Sequence, residues 1–79
     1  MKIYSIKDTV IGTFGPIWFA RNNGEAIRSF EQAIKNDHKT KSIAKDLQLF
    51  EIGTWNEETG EIIPNVSFIE SGSNYVEGE

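Results

Sequence analysis

The chain has 79 residues, no cysteine, a single histidine and a formal net charge of −4. That length allows one domain with a modest core, and the composition excludes a disulfide framework, a Cys-based zinc site, a thiol nucleophile and a His-rich metal centre. A small core without such support favours self-association, so a homo-oligomer is expected, a dimer in the first instance.

Met1-Lys2 runs directly into alternating strand residues rather than a signal peptide, and no apolar run approaches the roughly 20 residues of a membrane span. Together with the lack of cysteine this leads to the expectation of a soluble cytoplasmic protein. The charges are segregated. Residues 1–45 hold all eight Lys and Arg with four acidic residues, whereas residues 46–79 hold eight acidic residues and no Lys or Arg. Such a division reads as a basic binding surface, as an acidic tail, or as complementarity between subunits.

In chain order, Lys2 to Lys7 alternates, with Ile3 and Ser5 on one face and Tyr4 and Ile6 on the other, and predicts a first strand. Asp8-Thr9 predicts a turn and Val10 to Phe14 a short or edge strand. Gly15-Pro16 punctuates the chain, and Ile17 to Ala20 is an apolar strand or anchoring loop. A helix is predicted from about Asn23 to Lys35. Asn22 with Glu25 three residues on has capping-box character, and Ala26, Ile27, Phe30, Ala33 and Ile34 form one apolar stripe. Asn36 to Lys41 reads as a polar, basic loop, and Ser42 to Leu47 as one short helical turn.

Leu47 to Ile63 predicts a β-hairpin. Leu49, Phe50, Ile52 and Trp55 suit a half-buried strand, Asn56 to Thr59 is the turn, and Gly60 supplies the left-handed position that closes it. Pro64-Asn65 is read as the end of the returning strand, with Val66, Phe68 and Tyr75-Val76 as material for a weak edge strand. The expected fold class is α+β: a small, mainly antiparallel sheet, one main helix packed on it, and a C-terminal β-hairpin. Residues 1–70 are expected to form the single domain and residues 71–79 a flexible tail.

Enzyme chemistry has little to rest on. Gly12-x-x-Gly15 is neither a dinucleotide nor a phosphate fingerprint, and Glu57-Glu58 lies in an exposed turn, where nothing raises a carboxyl pKa for general-acid work. Asn65-Val66-Ser67 matches a glycosylation sequon that an intracellular protein would not use. No catalytic residue, metal site or cofactor is expected. The notable polar feature is the cluster Lys35, His38, Lys39, Lys41 and Lys45, suited to phosphate contacts that carry no base specificity. Tyr4, Phe14, Trp18 and Trp55 are the candidate stacking groups for single-stranded nucleic acid. The plainer reading is a solubilising loop with the aromatics in the core. Trp18-Phe19 also reads as a subunit-interface anchor.

Met1 to Asp8, Pro16 to Ala20, Gly24 to Phe30, Leu49 to Gly53 and Glu57 to Gly60, taken in this order, resemble the small nonstructural protein of gokushovirus-type microphages (Microviridae), bacteriophages with circular single-stranded DNA. The likeness spans about residues 1–64. It departs at Ala44-Lys45-Asp46-Leu47-Gln48, where that family commonly has a His-Pro-Glu-Asp-Tyr-like segment, and at Gly15-Pro16, where two prolines are frequent. The resemblance implies a non-enzymatic protein made in the host bacterial cytoplasm and not in the virion. It further implies a role in viral DNA replication, around the change to single-strand synthesis and packaging. No site residues carry over from it.

The expected function is therefore that of a phage replication accessory, binding single-stranded DNA or a phage or host replication protein as a homo-oligomer. Arg21, Arg28, Lys35, Lys39, Lys41 and Lys45 are expected to meet phosphate, with Tyr4 and Trp18 as stacking groups. The alternative is a protein–protein module that binds a host or phage factor, through Trp18-Phe19 or the acidic hairpin, without touching DNA. A structural capsid accessory is a third reading.

Overall fold

The computed structural model describes residues 1–75. Its elements are β1 (Lys2–Asp8), β2 (Thr13–Phe14), β3 (Trp18–Ala20), α1 (Asn23–Asn36), α2 (His38–Ser42), β4 (Leu47–Trp55) and β5 (Ile62–Ser71), with 3₁₀ turns at Ala44–Asp46 and Gly72–Tyr75. The five strands form one antiparallel sheet in the order β2-β1-β4-β5, and β3 also pairs with β1. Because β4 occupies one side of β1, β2 and β3 share the other, β2 against Lys7-Asp8 and β3 against Lys2 to Tyr4. The α+β class expected from the sequence is the class observed.

The helix begins where its cap chemistry says it should. Asn22 accepts the Glu25 amide at 2.9 Å, and the Glu25 carboxylate accepts the Arg21 amide at 3.1 Å, so two otherwise unpaired N–H groups are satisfied. Ala26, Phe30 and Ile34 face the sheet and are buried, with Ile27 half-buried beside them. They pack on Tyr4, Ala20, Leu47 and Leu49 to make the core. Tyr4 ties the two layers together by donating its hydroxyl to Asn23 at 2.6 Å.

Four expectations are corrected. Val10 and Ile11 are not strand. Their amides bond the Asp8 carboxylate at 3.0 and 3.3 Å in an exposed turn, and β2 is only Thr13–Phe14. The basic segment after α1 is not a loop: Asp37 accepts the Lys39 amide at 3.1 Å and the Thr40 hydroxyl at 2.7 Å, and thereby caps α2. Pro64 does not end the returning strand, since β5 continues to Ser71. β5 is the outer strand of the sheet, so a missing amide on its unpaired side breaks no ladder bond. Residues 71–75, expected in the flexible tail, end β5 and fold back, with the Tyr75 ring edge-on to Phe30 at 6.0 Å. Val76 and the remainder of the expected tail lie outside the described residues.

The hairpin turn forms as expected. Asn56 accepts the amides of Glu58 at 2.9 Å and Thr59 at 3.3 Å, and Gly60 takes φ +80°.

Candidate nucleic-acid interface

All six predicted phosphate-binding cations lie on the helical layer, and all six are exposed. Arg28 and Lys35 stand seven residues apart on α1, hence on one face, turned away from buried Ala26, Phe30 and Ile34. Lys39 and Lys41 sit on α2, Lys45 in the following 3₁₀ turn, and Arg21 just before the α1 cap. Residues 21–45 carry these six cations against Glu25, Glu31 and Asp37. Arg21 pairs with Glu25 at 3.4 Å and Lys35 with Glu31 at 2.6 Å. Arg28, Lys41 and Lys45 have no salt bridge among the described residues. The Asp37 carboxyl is held below its usual range, first by the Thr40 hydroxyl bond and then by the Lys39 amide, so the α2 cap remains ionised beside the lysines.

The predicted stacking groups do not join this surface. Tyr4 is 0% exposed, enclosed between β1 and α1, and presents no ring face to a base. Burial first, then the nearby Glu51 and Glu25 carboxylates, raises its phenol pKa. Trp18 is half-buried, 6.1 Å from the Tyr4 ring, and its Nε1–H has no partner among the described residues. With Ile6, Ser29 and Ala33 it lines an open pocket of about 210 Å³ that holds no titratable group. Trp18 and Phe19 do not form one anchor, because strand alternation sends them to opposite faces. Phe19 lies 5.4 Å from Trp55 on the side away from the helix.

That far side is an aromatic sheet face. Phe14 meets Phe50 edge-on at 5.3 Å, and Phe50 meets Phe68 at 5.7 Å, so one row of rings crosses the sheet from β2 to β5. The row passes over Ser5, whose small side chain is fully buried and bonded to the Gly15 carbonyl at 2.8 Å. Phe14 and Trp55 are stacking candidates by sequence, and the structure adds Phe50 and Phe68 to the same face. The alternation of Phe50 with buried Leu49 and Glu51, and the period-two spacing of Val66 with Phe68, are the signals that mark them. The cation on this face is Lys7, 5.6 Å above the Phe14 ring.

The six predicted cations and the Phe14-Phe50-Phe68 row thus occupy opposite sides of one thin molecule. The acidic side chains Glu57, Glu58 and Glu61 are collected at the hairpin tip, just beyond Trp55. Among the described residues, no group of three or more His, Cys, Asp or Glu is placed to hold a metal ion, and no helix is long and apolar enough to cross a membrane.

A family model described as Phage ORF5 protein matches residues 1–75. The chain belongs to that family. The match runs from β1 through the last described turn, so it covers both the helical layer and the whole sheet. No curated protein and no solved structure matches the chain.

Proposed function

We propose that this phage protein is a non-enzymatic accessory of viral DNA replication, of the gokushovirus type, acting in the host cytoplasm and not in the virion. It binds single-stranded DNA as a homo-oligomer, through phosphate contacts from Arg21, Arg28, Lys35, Lys39, Lys41 and Lys45. The supporting observation is the excess of exposed cations on α1, α2 and the turn that follows, while the acidic residues of the second half of the chain lie largely in the hairpin. Phosphate contacts of this kind position a strand without reading its bases. Tyr4 drops out of the reading because its ring is buried.

Titrating labelled oligo-dT at several salt concentrations tests this. Affinity is expected to fall with salt along a slope of about −0.7 per phosphate neutralised. Replacing Lys39, Lys41 and Lys45 together by Ala is expected to weaken binding to all sequences alike and to flatten the slope. No binding at low salt overturns the proposal. The result would then favour a module that binds a phage or host replication protein without DNA, a second reading supported by the exposed apolar sheet face.

A further inference from the structure

The face of the sheet opposite α1 is uncovered and strongly apolar. Val66 is 65% and Phe68 54% exposed on β5, and Phe14 and Phe19 are exposed on the other edge. Phe50 and Trp55 fill the middle, joined to them by the ring contacts described above. Contiguous apolar surface of this extent is unusual on a monomer and marks a contact.

The shape agrees. The chain exposes 5279 Å², where a compact monomer of its mass exposes about 4,800 Å². Its radius of gyration is 13.0 Å, against about 11.6 Å for a compact chain of this length. The molecule measures 46 × 23 × 17 Å, so its broad face is wide enough for the roughly 800 Å² per partner of a stable interface.

Charge chooses the occupant. Lys7 lies at the end of β1 that pairs with Leu47 and Gln48, whereas Glu57, Glu58 and Glu61 stand at the opposite end, beyond the Lys2–Thr54 pair. A nucleic acid laid along this face would meet one cation and an acidic tip. A second copy of the chain, reversed end for end, matches apolar surface to apolar surface and brings Glu58 and Glu61, which have no salt bridge among the described residues, toward Lys7. Glu57 lies 3.9 Å from the N-terminal ammonium of its own chain.

We propose that the open sheet face is the interface of a two-fold homodimer whose subunits pack face to face with the long axis reversed, each acidic hairpin tip lying over the Lys7 end of its partner. Such an interface is isologous and closed, with the two sheets about 10 Å apart. It leaves both basic helical layers on the outside. The proposal gives a place to the oligomer of the functional reading above. It is read without DNA, so either statement can fail alone.

Light scattering and sedimentation of the full chain test it. The wild type is expected at twice 8.9 kDa. The double variant Val66→Glu/Phe68→Glu, both positions being exposed, is expected to keep its circular dichroism and to dissociate at least about 30-fold more readily. Gln32→Glu, exposed on the outer helical layer in α1, is expected to remain dimeric. Lys7→Glu is expected to weaken the dimer, and the triple exchange Lys7→Glu/Glu57→Lys/Glu58→Lys to restore it. A monomeric wild type, or a dimer indifferent to Val66→Glu/Phe68→Glu, overturns the interface. Failure of the charge exchange to restore association overturns the reversed arrangement. Dissolution of the dimer by oligo-dT, with oligo-dT binding lost in the Phe68→Glu single variant, would instead make the face a base-stacking platform and also overturns it.

Discussion

Two tyrosines show how position decides what a side chain does. Tyr4 looks in sequence like a surface aromatic on an alternating strand, but helix and sheet close over it and its hydroxyl is taken by Asn23. Tyr75 looks like part of a polar tail, but its ring packs on Phe30 and its hydroxyl donates to the Glu70 carboxylate. Burial first, and then the Glu70 bond, pushes the Tyr75 pKa up to about 12. An unfolded tyrosine titrates near 10. The stabilisation from the neutral phenol is therefore complete below about pH 10 and is lost as pH rises through about 12. Tyr4 is shifted in the same direction. Urea midpoints are expected to fall over this alkaline range, and Tyr75→Phe, which cannot ionise, is expected to show a shallower fall. Equal slopes for the two proteins would show that Tyr75 contributes none of the effect.

Elements were legible where local chemistry and tertiary context agree. The α1 cap at Asn22, its apolar stripe and the Asn56–Gly60 turn are written in neighbouring residues, and each forms where expected. The misread elements are those whose neighbours overrule them. Val10-Ile11 has strand composition, but Asp8 draws both amides into a turn. Pro64 reads as a breaker, yet an outer strand tolerates it. The 3₁₀ turn at Gly72–Tyr75 depends on a distant partner: a Cβ on Gly72 would overlap the Ala44 carbonyl oxygen and press on the Leu47 carbonyl oxygen at 3.2 Å. Gly72→Ala is accordingly expected to cost about 1–3 kcal/mol, read as a lowered thermal midpoint. A wild-type midpoint would mean that this close approach is not maintained.

At the scale of the molecule, the helical layer covers only one side and one end of the sheet. β4 is buried at alternate residues from Leu47 to Gly53, whereas Glu61 to Phe68 are exposed throughout. Opening should therefore start at the hairpin tip. Amide exchange is expected to be fastest for Trp55 to Ile62 and slowest for Tyr4 to Ile6 and Leu49 to Glu51. Uniform protection along the hairpin would contradict this. The class of fold, the main helix with its cap, the hairpin turn and the division of charge can all be read from the residues alone, because each depends on neighbours close together in the chain. The packing of helix on sheet decided that Tyr4 is core rather than a stacking group and that Trp18 turns to the helix side while Phe19 faces away. It likewise decided that the hairpin strand Leu47–Trp55 carries core on one side and an open aromatic row on the other. Alternation tells which residues share a face of a strand, but which face the helix covers depends on how the layers pack.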